Sequence, residues 1–319
     1  MLLSIATKLA NLNLKNPLIV GSGISSNYVL KQFIDAGVAA VTTKTVTPEA
    51  RKGHPPPTVL QLKEGYINAI GLKNPGIENY RDQMIDLVEY AKKRDVKVIG
   101  SAGSNTITGL LKVSTRLEEW GADAIELNVS CPNADDIFSI GFDLNFLKTA
   151  ITEVRKVVSV PIGIKMSPEI SDMDLLKYAN ILKSAGADFV VISNSFSPAT
   201  SIDIWKQSIR LGRPEGYGGL SGPAIKPLVL GKILRYHIID DTMPIVGIGG
   251  VTTWEDVIEF MLAGASAVSF VSAYFIYKNV SFIKDMLEGI KTYMEKMNIQ
   301  KINEIVGLVK KKTKSRSIT

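Results

Sequence analysis

Eight short runs of apolar, largely β-branched residues recur along this chain, and longer amphipathic segments alternate with them; no other feature restricts the fold as much. The runs are PLIVGSG (17–23), AAVTTK (39–44), KVIGSA (97–102), AIELNVS (124–130), PIGIKMS (161–167), FVVISNS (189–195), PIVGIGG (244–250) and ASAVSFVS (265–272). Between them lie helical patterns such as NYVLKQFIDAG, ENYRDQMIDLVEYAKK, TGLLKVSTRLEEWGA, LKYANILKSAGA and WEDVIEFMLAGA, several closing on the small residues that helix ends favour. Near-continuous apolar strands alternating with helices predict a parallel sheet covered on both faces. Eight such units predict an α/β fold, a (β/α)8 barrel in a single domain over 1–319. The main competitor is a doubly wound open sheet. It lacks its phosphate-binding fingerprint here, because in GSGISS (21–26) the third glycine position is Ser26.

Two connections exceed the usual few residues: 45–77 after the second run and 194–222 after the sixth. Both follow strand C-termini, the face where barrels carry their sites. Residues 2–14 read as a hairpin plugging the barrel bottom, and 300–312 as an extra C-terminal helix.

Composition removes several function classes. One cysteine, Cys131, cannot form an internal disulfide or hold an iron–sulfur cluster, and with only His54 and His237 a His/Cys zinc site is nearly excluded. The net charge of +6 includes a basic tail, KKKTKSR (310–316), that reads as a solvated end; no aromatics interleave to suggest nucleic acid. The N-terminus MLLSIATKLANLNL has no long apolar core and does not read as a signal peptide, and no run of about eighteen apolar residues suggests a membrane span. A cytoplasmic protein is expected.

The strand ends carry polar groups that a barrel core would reject. Lys44 ends the second run and Lys165 lies in the fifth; Asn128, Ser130 and Cys131 end the fourth, and Asn194 and Ser195 the sixth. Either lysine alone could reach solvent, but two on one rim with asparagines between them point to an anionic ligand or an electron-rich cofactor. Gly249-Gly250, before a helix starting at Thr252-Thr253, suggests an anion site at a helix N-terminus. Cys131 is followed by Pro132, so it sits on a turn, where it could act as nucleophile, metal ligand or general base, or be an inert buried thiol.

NAIGLKNPG (68–76), ELNVSCPN (126–133), IKMSP (164–168) and GGLSGPAIKP (218–227) together resemble the class 1 dihydroorotate dehydrogenases, and GIGGV (247–251) and EFMLAGASAV (259–268) extend the match over nearly the whole chain. TPEARKGHPPP (47–57) and the GLSGPAIKP context look most like subclass 1B. The resemblance implies a barrel holding FMN at its C-terminal face and oxidation of (S)-dihydroorotate to orotate in pyrimidine synthesis. It implies that Cys131 removes the C5 proton while C6 gives hydride to flavin N5. It places Lys44, Asn68, Ile70, Gly71, Leu72, Asn128, Asn133, Asn194 and Ser195 around the substrate, with Lys44 toward the carboxylate. It places Ser22, Gly23, Lys44, Thr45, Asn128, Lys165, Ser193, Gly222, Gly249, Gly250, Val271 and Ser272 at FMN. Subclass 1B also implies a homodimer joined to a subunit carrying FAD and a [2Fe–2S] cluster, a heterotetramer that passes electrons to NAD.

Some positions depart from the family pattern. Val271-Ser272 replaces Gly-Thr, so a valine is expected to crowd the phosphate loop. Gly100 replaces an Asn that would contact FMN, with Ser101 or Asn105 as substitutes; ADDIFSIGF (134–142) lacks paired glycines, and Asn194-Ser195 replaces Asn-Thr. The rivals are a dihydropyrimidine dehydrogenase domain acting on uracil or thymine, a flavin-free phosphate-binding lyase or isomerase, and a binding scaffold.

Overall fold

A computed structural model describes residues 3–130, 134, 137 and 142–309; Cys131, Asn133 and the basic tail lie outside the described residues. The chain opens with a hairpin of β1 (Thr7–Leu9) and β2 (Leu12–Leu14). Each of the eight apolar runs then contributes one barrel strand: β3 (Leu18–Val20), β4 (Ala40–Thr42), β7 (Lys97–Ala102), β8 (Ala124–Leu127), β9 (Ile162–Lys165), β10 (Phe189–Ile192), β15 (Ile245–Ile248) and β16 (Ala267–Phe270). They close in the order β10-β15-β16-β3-β4-β7-β8-β9, all parallel.

Burial on both faces explains why the runs are apolar at nearly every position. One face points into the barrel, where Ile19, Ile99, Phe189, Val191 and Val246 meet Leu9, Leu12 and Leu14 of the hairpin. The hairpin therefore closes the bottom of the barrel with three leucines. The other face packs beneath the helices α1 (Asn27–Ala36), α2 (Arg81–Lys92), α3 (Ile107–Glu119), α4 (Leu144–Val157), α5 (Leu175–Ala185), α6 (Lys226–Ile239), α7 (Trp254–Ala263) and α9 (Phe282–Lys296). A short α8 (Ser272–Tyr277) intervenes after the eighth barrel strand. Helix ends follow local chemistry: Ser26 accepts from the Val29 N–H at the start of α1, and Gly37, at φ 103°, ends it. Among the described residues no helix is long and apolar enough to cross a membrane.

The extra helix expected over 300–312 falls partly outside the described residues, and within them Leu308 and Val309 are helical. Its described part holds a 3-10 turn, Ile302–Ile305, whose two isoleucines are fully buried. The eighth helix of the barrel is α9, which packs against α1 and α7.

The two long insertions fold onto one another. The first supplies β5 (Val59–Gln61) and β6 (Tyr66–Asn68); the second supplies β11 (Phe196–Ala199), a small hairpin of β12 (Ile202–Asp203) and β13 (Ser208–Ile209), and β14 (Gly218–Ser221). Their strands form one antiparallel sheet in the order β11-β14-β6-β5, with Gly219 opposite Asn68 and Ser221 opposite Tyr66. Leu60, Ile67, Ala69 and Leu211 make a small core of its own beneath this sheet.

The N-terminus of α7 carries an acidic cap of its own. The Asp256 carboxylate accepts from Thr252 N (2.7 Å) and Thr253 N (2.9 Å), the latter as part of a capping box. Lys226 Nζ lies 2.7 Å from the same carboxylate, tying the start of α6 to the start of α7. Burial pushes the Asp256 carboxyl up, but Lys226 and the threonine N–H groups outweigh it and hold it below its ordinary 3.8. A carboxylate with a depressed folded pKa stabilises above the unfolded value and loses that contribution as pH falls through the folded one. Asp256→Asn is expected to cost about 1–3 kcal/mol at neutral pH. In denaturant titrations the gap to the parent protein should narrow as pH drops below 3.8.

Candidate active site

The strand C-termini and the paired insertions enclose a cavity of about 1100 Å³, open mouth included. At one wall Lys165, the last residue of β9, is 7% exposed. Its Nζ donates to Ser22 Oγ at 2.9 Å and stands 3.8 Å from Glu126 Oε1. A lysine this deep is tolerated only against an anion and fixed acceptors, and Glu126, itself 4% exposed, supplies the charge. Strand periodicity turns Glu126 inward from β8.

From Glu126 a line of polar side chains runs across the barrel mouth. Ser101 Oγ lies 3.0 Å from Glu126 Oε1 and 2.9 Å from Thr45 Oγ1. Asn128 Nδ2 donates to Thr45 Oγ1 (2.9 Å), and Asn194 Nδ2 to Asn128 Oδ1 (3.3 Å). Asn194 also donates to the Ser130 carbonyl (3.0 Å), while Ser130 Oγ donates to the Lys165 carbonyl (2.7 Å). The backbone immediately before Cys131 is thereby held to both β9 and the end of β10. Cys131 and Asn133 themselves lie outside the described residues.

The opposite wall gathers Ser22, Gly23, Gly222, Gly249, Gly250, Val271 and Ser272. Gly250 has φ 82°, and a Cβ there would meet Lys226 Cβ at 2.8 Å and the Gly222 carbonyl at 2.9 Å, so only glycine fits. Val271 takes up its extra bulk against the end of β3. Its methyl carbons lie 2.9 Å from an ideal Cβ on Gly21 and 2.5 Å from one on Gly23. Two glycines just after the first barrel strand therefore make room for the valine that was expected to crowd the neighbouring loop.

Gly100 needs a correction. A Cβ on Gly100 would meet Leu117 at 3.0 Å, so position 100 faces α3 and no side chain there could reach the cavity. Ser101, one residue on and fully buried, is the inward position, and Asn105 is exposed.

Along the rim, Lys44 follows β4 half-buried, Thr45 comes next, and Asn68, Ile70 and Leu72 come from the first insertion. Asn68 Nδ2 donates to the Gly219 carbonyl (3.2 Å), which links it to the second insertion. Ser193, Asn194 and Ser195 complete the lining after β10. Gly71 is the exception. It does not line the cavity and packs on His54, which a Cβ would meet at 2.7 Å. Leu72 clusters with Ala134 and Ile137, the two described residues of the segment after Cys131.

Several lining residues escaped the sequence reading. Val59, Tyr66 and Phe275 form an apolar side to the cavity, the two rings 6.0 Å apart. Glu126 was also missed, though a lone carboxylate inside an apolar strand was a usable signal. No cluster of metal-ligating side chains occurs among the described residues.

The family description "Dihydroorotate dehydrogenase" matches residues 4–294. A relative from Thermoplasma volcanium named dihydroorotate dehydrogenase B (NAD(+)), catalytic subunit, is 36% identical over 97% of this chain and 99% of its own length. One of the same name from Pyrococcus furiosus is 36% identical over 97% of this chain and 100% of its own. In fold, the chain is similar to a solved dihydroorotate dehydrogenase bound to ferulenol from Eimeria tenella: TM-score 0.82, 18% identity, 95% of this chain and 88% of that one covered.

Because Val271 and Gly23 share one space, Gly23→Ala is expected to lower stability by about 1–3 kcal/mol through overpacking. Adding Val271→Gly should recover most of that loss, measured as the coupling in a double-mutant cycle; additive effects would contradict the contact.

Proposed function

The chain belongs to the dihydroorotate dehydrogenase family, and we propose that it is the catalytic subunit of a B-type enzyme that oxidises (S)-dihydroorotate to orotate in pyrimidine synthesis. One observation carries this reading. A single cavity brings a half-buried lysine, Lys44, and three asparagines, Asn68, Asn128 and Asn194, together with a buried lysine, Lys165. A carboxylated ring with amide groups matches the first set, and a cofactor that gains negative charge matches the last residue.

The residues fit FMN. A buried ammonium, the hydroxyls of Ser22, Thr45, Ser193 and Ser272, and the backbone of Gly23, Gly222, Gly249 and Gly250 line one space large enough for it. Bound there, FMN supplies the two-electron acceptor for the hydrogen on C6. Lys165, oriented by Ser22 and Glu126, meets the charge that the reduced cofactor carries.

Lys44 binds the substrate carboxylate, and Asn68, Asn128, Asn133 and Asn194 bind the ring amides, with Ser195 beside them. Ile70 and Leu72 give the ring an apolar floor and keep water from it; Gly71 acts only by shaping the turn between them. Cys131 Sγ takes the C5 proton as the C5–C6 double bond forms. The backbone of Ser130, the residue before it, is held by Asn194, and the Ser130 hydroxyl by the Lys165 carbonyl.

A partner subunit carrying FAD and a [2Fe–2S] cluster would take the electrons on toward NAD, in an assembly with two copies of this chain. The relatives' name, a catalytic subunit of a B (NAD(+)) enzyme, supports a partner subunit and NAD as acceptor. So does this chain's own composition, because one cysteine cannot ligate a cluster.

Anaerobic addition of dihydroorotate to the FMN-loaded protein should bleach the flavin; bleaching by dihydrouracil and not by dihydroorotate would replace this reading with the neutral-pyrimidine one. Lys44→Ala is expected to weaken orotate binding about tenfold to a hundredfold while FMN content is retained, as read by equilibrium titration. Cys131→Ser should keep both ligands yet slow flavin reduction by orders of magnitude near neutral pH in stopped flow, since a hydroxyl is a far weaker base than a thiolate.

A further inference from the structure

We propose that Glu126 is a positioning residue that sets the direction of a hydrogen-bond relay through Ser101 and Thr45, and thereby the face of the Asn128 amide offered to substrate. The inference rests on the reading of the cavity as a pyrimidine site. Glu126 does not line the cavity, and it touches neither ligand in that reading.

The direction follows from counting protons. A carboxylate accepts and cannot donate. Ser101 must therefore donate its only hydroxyl proton to Glu126 Oε1, 3.0 Å away. The 2.9 Å contact between Ser101 and Thr45 can then be made only by the Thr45 proton. With that proton spent, Thr45 Oγ1 can only accept from Asn128, which must present Nδ2 at 2.9 Å. The Asn128 Oδ1 is left on the side of Asn194, whose Nδ2 lies 3.3 Å away. One acceptor-only group thus fixes an amide three residues along the relay. The amide cannot flip without opposing two acceptors at Thr45 and two donors at Asn194, and Thr45, Ser101, Glu126 and Asn128 are all at most 4% exposed.

The consequence is chemical selectivity. A carbonyl oxygen held in this sense accepts a ring N–H, as in a cyclic ureide. A flipped amide would offer N–H and favour a ring carbonyl or an unprotonated ring nitrogen.

The test uses the FMN-loaded protein and two substitutions at one site. Glu126→Gln keeps an acceptor for Ser101 and removes the charge; Glu126→Leu keeps similar bulk and removes both. Orotate affinity is expected to stay within a few-fold of the parent in Glu126→Gln and to fall about tenfold or more in Glu126→Leu, FMN content being retained. Ser101→Ala breaks the relay without touching the Glu126–Lys165 pair, and it should reproduce the fall. It decides the matter even if Glu126→Leu does not fold. Equal losses in Gln and Leu would show that charge, and not direction, is what matters, and would overturn the relay. So would unchanged orotate affinity in Ser101→Ala. A parent protein that holds FMN and binds no orotate overturns the pyrimidine reading, and the relay with it.

Discussion

The site depends on one ammonium group kept below the surface of a hydrophobic barrel. Lys165 cannot be where it is without compensation, and the compensation is specific: a hydroxyl from the first barrel strand's end and a carboxylate from the neighbouring fourth. A pair of this kind is poor stabilising chemistry, because desolvating two charges offsets most of their attraction. Apolar residues of equal volume would serve the fold as well or better. The pair is therefore best understood through what it does at the cavity, where it supplies fixed charge on one side and a fixed hydrogen-bond sense on the other.

How the strands are built makes this possible. In a parallel barrel every strand is buried on both faces, so an inward polar residue is costly except at the C-terminal end, where the cavity begins. Lys165, Asn128 and Ser193 lie at or just beyond such ends, and Ser101 and Glu126 close below them. Lower in the barrel the same inward positions are Ile19, Ile99 and Val246, resting on the leucines of the N-terminal hairpin. One short strand thus carries a packing half and a chemical half.

Much of this was readable beforehand, for a physical reason. Strands apolar on both faces announce themselves, and lysines or asparagines that interrupt them mark where the core stops. What could not be read was direction and long-range pairing. Gly100 and Ser101 are adjacent, and only the pleat decides which one looks inward. Asp256 was one acidic residue in a helix's first turn, and nothing local showed that it would occupy the N–H groups before it. Val271 could be understood only beside Gly21 and Gly23, some 250 residues away along the chain. The union of the two insertions was equally hidden, since both read simply as long loops.

That union has a further consequence. The insertions leave the second and sixth of eight strands, which stand diametrically opposite in the ring. Joined through β14 and β6, they form one antiparallel layer that contributes Val59, Tyr66, Asn68 and Ser221 to the cavity lining. Asn68 of the first insertion and Ser221 of the second enter the cavity wall from this same layer, so a substitution that loosens either insertion displaces wall residues contributed by both.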